Sequence, residues 1–129
     1  MAQLILVVDD DDDVREAIAG LLQDVGYAVE EASDGRAALQ RLAAPPPPVL
    51  VILDLMMPDM SGAEVLAAWQ LNPELPRCRV LVLTASSPAF VASLDLHHPT
   101  LHKPFDLDVL LQRVSELADG VTRSEGGAR

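Results

Sequence analysis

Several residue types are scarce in this sequence, and each shortage removes a class of structure or function. Cysteine occurs once, at Cys78, so no disulfide can form within the chain. No apolar run approaches the roughly 18 residues that a membrane-spanning helix needs, which leaves a water-soluble domain as the expectation. Basic residues number 9 against 20 acidic ones, for a net charge of -11. That sign disfavours direct binding to nucleic acid or to an anionic membrane surface. Only Met1-Ala2-Gln3 precedes the first apolar run, without a basic stretch or a small-residue cleavage site, so a cytoplasmic location is expected. Lysine occurs once, at Lys103, and the remaining basic residues are arginines. No Ser/Thr/Gly-rich loop follows the first apolar run, which counts against a flavin-binding module.

What is present points to one globular domain. The 129 residues are 50% hydrophobic, enough to bury a core and too apolar for a disordered chain. Short aliphatic runs alternate with longer amphipathic ones, the pattern of strands alternating with helices. Leu4 to Val8, Ala28 to Ala32, Val49 to Leu53, Val80 to Leu83 and Thr100 to His102 read as strands. Val14, Ile18, Leu21, Leu22 and Val25 fall on one helical face that Gly26 ends. Further helices are predicted after Asp34-Gly35, after Gly62, over Pro88 to Leu94, and through Leu107, Leu110, Leu111, Val114, Leu117 and Ala118. Pro45 to Pro48 reads as a stiff extended connection. Residues 1–118 are expected to form the domain and 119–129 a loose C-terminal tail. Five strand-helix units with buried-looking strands imply an α/β fold, a three-layer αβα sandwich on a five-stranded parallel sheet.

In such sheets the site lies at the carboxyl ends of the strands, which turns those ends into a list of candidates. They are Asp9 and Asp10, Asp54, Thr84 and Lys103. Carboxylates gathered at one rim repel each other, and a hard divalent cation is the simplest relief; Mg²⁺ suits an oxygen site that keeps room for water and phosphate. Lys103 supplies a compact positive charge and Thr84 a hydroxyl. A nucleophilic carboxylate, a divalent metal, a lysine and a hydroxyl meet the needs of phosphoryl transfer. Asp11 to Asp13 read more simply as favourable charge at a helix N-terminus.

The motifs Ile5-Leu6-Val7-Val8-Asp9-Asp10, Leu53-Asp54-Leu55-Met56-Met57-Pro58-Asp59-Met60-Ser61-Gly62, Leu83-Thr84-Ala85 and Lys103-Pro104-Phe105 follow one another in order. Together they resemble a two-component response-regulator receiver domain of the chemotaxis-regulator type, over residues 4 to about 118. The resemblance implies a flavodoxin-like (βα)5 fold with strand order 2-1-3-4-5. It implies that Asp54 accepts a phosphoryl group from a phosphohistidine on a sensor histidine kinase or histidine phosphotransfer protein. Mg²⁺ would be held directly by Asp10, Asp54 and the backbone carbonyl of Met56, with Asp9 acting mostly through water. Thr84 and Lys103 would bind the phosphoryl oxygens, and the Lys103-Pro104 bond would be cis. Gly62 would shape the loop after Asp54 by its backbone freedom, and a downstream protein target, unknown from the sequence, would read the modified state.

The chain also departs from that pattern. Thr100 stands where receiver domains usually carry an aromatic residue, and the segment between Thr84 and Lys103 is a few residues short, so a truncated fourth helix is expected. Other functions remain to be separated from the signalling module, which would catalyse only its own modification. One is a pseudo-receiver scaffold that keeps the fold without switching. Another is a haloacid-dehalogenase-like phosphatase, whose Asp-x-Asp pattern Asp9-Asp10-Asp11 satisfies formally. His97, His98 and His102 crowd the shortened segment without metal-ligand spacing. Cys78, between Arg77 and Arg79, could be a thiol of lowered pKa, against the simpler reading of an inert one.

Overall fold

Five apolar runs become strands, and five amphipathic segments cover them. The computed structural model describes the backbone of residues 2–127 and the side chains of residues 2–119. In chain order the elements are β1 (Leu4–Val8), α1 (Asp12–Asp24), β2 (Ala28–Ala32), α2 (Gly35–Ala43), β3 (Leu50–Asp54), α3 (Gly62–Leu71), β4 (Arg79–Thr84), α4 (Pro88–Leu94), β5 (Thr100–His102) and α5 (Leu107–Gly127). All pairings are parallel, in the order β2-β1-β3-β4-β5.

Alternation along each central strand divides the core into two layers. Leu6, Val8, Val51, Leu53, Val80 and Val82 pack with Ala38 and Leu42 of α2 and Val65 and Trp69 of α3. Ile5, Val7, Leu50, Ile52, Leu81 and Leu83 pack on the other face with Ile18 and Leu22 of α1 and Leu110 and Val114 of α5. Burial of each such side chain contributes roughly 1.5–3 kcal/mol, so β1, β3 and β4 carry most of the hydrophobic stabilisation. The edge strand β2 is more polar: Glu30 and Glu31 are exposed and pair with Arg41 and Arg15.

Local signals set the helix starts. Asp11 caps α1, accepting from the Asp13 and Val14 amides, and Asp34 caps α2 through the Ala37 amide. Ser61 and Glu64 form a reciprocal capping box on α3. A Cβ on Gly35 would lie 2.7 Å from Val65 Cγ2 and 2.9 Å from Met60 Sδ, so glycine is what lets α2 approach α3.

Four expectations need correction. β3 starts one residue later than predicted and includes Asp54, because that residue continues the ladder opposite Leu83. Val25 is 53% exposed, since the chain leaves α1 at that residue and turns away from the core. The connection through Pro45–Pro48 bends and contains a cis Pro45–Pro46 bond, so it is not simply extended. Helical backbone continues past Ala118 to Gly127, through most of the expected tail: no proline interrupts it, and Gly120 raises the local cost without forbidding a helix. Met1 and residues 128–129 lie outside the described residues. Among the described residues no helix is long and apolar enough to cross a membrane.

Candidate functional site at the carboxyl edge

Three strand ends are fastened to one another by main-chain hydrogen bonds. The Leu55 amide donates to the Leu83 carbonyl at 2.8 Å, joining the end of β3 to β4, and the Lys103 amide donates to the Thr84 carbonyl at 2.7 Å, joining β4 to β5. The Asp9 amide donates to the Ala32 carbonyl at 3.2 Å, and Arg15 Nη1 donates to the Asp9 carbonyl at 2.9 Å. Asp9 and Thr84 are fully buried, Asp54 is 4% exposed, and Asp10 is exposed.

The predicted side chains converge. One carboxylate oxygen from each of Asp9, Asp10 and Asp54 lies within 4.8 Å of the others. Lys103 Nζ is 3.1 Å from Asp9 Oδ2 and 3.5 Å from Asp54 Oδ1. Asp9 Oδ1 accepts from the Asp11 amide at 2.9 Å, so both of its oxygens already have partners. The Thr84 hydroxyl accepts from the Ser86 amide at 2.9 Å. The Lys103–Pro104 bond is cis, as expected.

Burial, reinforced by the charge of Asp9, raises the pKa of Asp54 to about 6; Lys103 and the Met56 amide oppose the rise, and Asp10 adds to it. For Lys103 burial pulls the pKa down, but Asp54 and Asp9 outweigh it and leave the ammonium above its ordinary value. With all groups ionised, the three carboxylates and one ammonium leave the cluster two negative charges in excess. An all-oxygen donor set with that excess fits a hard divalent cation better than a soft one.

Gly62 acts by size. A Cβ there would lie 2.5 Å from the Asp54 carbonyl oxygen and 2.8 Å from Leu55 Cα, and its φ is not left-handed, so close approach replaces the expected role of backbone freedom. Its amide donates to the Leu55 carbonyl at 2.8 Å and holds the loop against the end of β3. The Met56 side chain is 54% exposed, whereas Met57 is buried in the core.

Sequence reasoning missed Arg15, which is buried on α1 and bonds the Asp9 carbonyl, Glu31 and Asp12. Its position three residues before Ile18, on the apolar face, was the available signal. Ser86 was missed as well, and His102, noted only as one of three crowded histidines, approaches its carbonyl near Thr84. Asp11 is committed to capping α1, which takes the second acid of the Asp-x-Asp pattern away from phosphatase chemistry. The histidines join no metal cluster among the described residues. Burial pushes the Cys78 thiol pKa up, with Arg41 only partly opposing, the reverse of an activated thiol. A cavity of about 470 Å³, walled by Leu66, Trp69, Val80 and Leu96, lies at the opposite end of the sheet and shares no residue with the acidic cluster.

A parallel sheet in this order, with acids, a hydroxyl and a lysine gathered on its carboxyl edge, is the arrangement of flavodoxin-like signalling modules. The family model of the response regulator receiver domain matches residues 5–115, and the chain belongs to that family. It is 44% identical over 125 residues to "Response regulator MprA" of Mycolicibacterium vanbaalenii, covering 95% of this chain and 53% of that protein. It is 45% identical over 121 residues to the Mycobacterium tuberculosis protein of that name, covering 91% of this chain and 51% of the other. The chain thus spans about half the length of these relatives. Among solved structures, the receiver domain of a signal transduction histidine kinase from Syntrophus aciditrophicus aligns with a TM-score of 0.82 at 33% identity, over 95% of this chain and 94% of that one. The Vibrio cholerae chemotaxis protein CheY4 aligns with a TM-score of 0.80 at 29% identity, over 91% and 99%.

Proposed function

We propose that Asp54 is the phospho-acceptor of a two-component or phosphorelay system, taking its phosphoryl group from a phosphohistidine on a sensor histidine kinase or histidine phosphotransfer protein. An Asp54 oxygen attacks phosphorus, the P–N bond to imidazole breaks with its electron pair going to the donor's nitrogen, and an acyl phosphate forms. Asp10, Asp54 and the Met56 carbonyl would hold Mg²⁺, while Asp9, already engaged by Lys103 and the Asp11 amide, contributes through water. The metal, when bound, supplies charge neutralisation for the transferred group. Lys103 and Thr84 bind phosphoryl oxygens from the neighbouring strand ends, the ammonium by charge and the hydroxyl by donation. Residues 1–118 are assigned to the receiver unit.

The observation that carries this reading is the approach of the only lysine to a nearly buried aspartate within an acidic cluster. A simple ion pair would need one carboxylate, and the extra acids suit a metal-assisted anion site. The expected consequence is a charge added beside Asp54 that changes affinity for a downstream protein. Intact-protein mass measurement after incubation with acetyl phosphate and Mg²⁺ tests the chemistry: one labile phosphoryl group is expected, and none when the metal is chelated. An unchanged mass in the presence of Mg²⁺ and a phosphohistidine donor would refute the proposal.

A further inference from the structure

We propose that His102 is a positioning residue for Thr84, acting through Ser86, and that these three residues carry the state of Asp54 to the start of α4. The inference rests on the reading of Asp54 as phospho-acceptor. His102 stands beside Thr84 in the β4–β5 register. The two are then connected a second time, through the loop that leaves β4. The Ser86 amide donates to the Thr84 hydroxyl at 2.9 Å, and the Ser86 carbonyl lies 3.3 Å from His102 Nδ1. A carbonyl oxygen only accepts, so this contact places the ring proton on Nδ1. The two bonds of Ser86 are separated by a single Cα, and a change at one redirects the other.

The next residue extends the connection. Ser87 caps α4 by accepting from the Phe90 amide at 3.1 Å. That helix has seven residues, none of them buried, so little core packing resists a shift at its first turn. Thr100 shares a strand face with His102 by the two-residue period. Its hydroxyl, however, donates to the His98 carbonyl at 3.3 Å, within its own loop. His102 is therefore the β5 side chain with a hydrogen bond to the loop that holds Thr84. When the Thr84 hydroxyl turns to donate to a phosphoryl oxygen on Asp54, the Ser86 amide loses or reorients its acceptor. The Ser86 carbonyl, the His102 ring and the α4 cap then respond together.

Ring-nitrogen NMR of the whole chain tests the relay without any phosphodonor. In Thr84→Val the His102 Nδ1 resonance is expected to shift, while His97 and His98, in the connection between α4 and β5, serve as controls. A His102 signal that stays in place overturns the relay, whatever happens at Asp54. The second arm adds acetyl phosphate and Mg²⁺, with the mass measured in parallel. Amide shifts over Ser86–Leu94 are expected in the wild type, lost in His102→Leu, and restored in His102→Asn, whose side-chain NH₂ takes the place of Nδ1. His102→Gln, with its donor one bond further out, should not restore them. Full α4 shifts in a phosphorylated His102→Leu protein would overturn the proposal and leave the assignment of Asp54 intact. Failure of the wild type to take a phosphoryl group refutes that assignment instead, and the Thr84→Val result then decides the relay alone.

Discussion

The two halves of the carboxyl edge are built differently. On the β1–β3 side, five-residue strands are buried between helical layers, Arg15 fixes the Asp9 carbonyl, and Gly62 presses the following loop onto Asp54. On the α4–β5 side, beyond the buried strand β4, the last strand has three residues and α4 buries no side chain. Asp95 and His97 there adopt left-handed backbone conformations, φ 53° and 61°. The contrast separates two tasks. The proposed phosphoryl transfer needs positions held rigidly, and the buried strand ends that carry Asp9, Asp54 and Thr84 are held in that way. A response to phosphorylation needs an element that moves at small cost, and the lightly packed half supplies that.

The sharpest break in the comparison is chemical. Asp54→Asn is expected to abolish phosphoryl uptake from acetyl phosphate, whereas Phe90→Ala on α4 should leave it intact; mass measurement reads both. Stability comes next. Ile52→Ala, which empties a fully buried site on β3, should cost about 4 kcal/mol in urea unfolding. Gly62→Ala, with its Cβ forced against the backbone of Asp54 and Leu55, should cost about 3 kcal/mol.

An effect no larger than that of Gly62→Ala follows from pH. The folded-state pKa of Asp54 is raised from 3.8 to about 6, so the metal-free folded protein binds the proton more tightly than the unfolded chain. The resulting stability is fully present below about pH 4 and is lost as pH rises through about 6, a loss of about 3 kcal/mol at most. Unfolding measured across that window should show the decline, and Asp54→Asn should flatten it. The smallest change is expected from Leu94→Ala at the end of α4, below about 1 kcal/mol, because the side chain is only partly buried. A cost there equal to that of Ile52→Ala would erase the distinction between the halves.

How much could be read in advance follows the same division. β1, β3 and β4 were legible because both faces are covered and their apolar runs are continuous. The strand ends then located Asp9, Asp54, Thr84 and Lys103. What escaped depends on contacts distant in sequence. Arg15 lies on the apolar face of α1, but its partners Glu31 and the Asp9 carbonyl come from other elements. Gly62 resembled a flexible turn former, whereas its role is set by the Asp54 backbone against it. His102 stood out only as one of three crowded histidines, because its partner Ser86 lies 16 residues earlier across the strand pair. The helical backbone beyond Ala118 escaped because apolar periodicity ends before the helix does.

The most direct test of the account is to trap the modified residue. The protein would be incubated with a phosphohistidine donor and Mg²⁺, the acyl phosphate reduced with borohydride, and the product mapped by peptide mass spectrometry. Conversion of Asp54 to homoserine, absent without the donor, is the predicted result. Reduction at another carboxylate, or none in a protein that has consumed the donor's phosphoryl group, would contradict the placement of the phosphoryl group on Asp54.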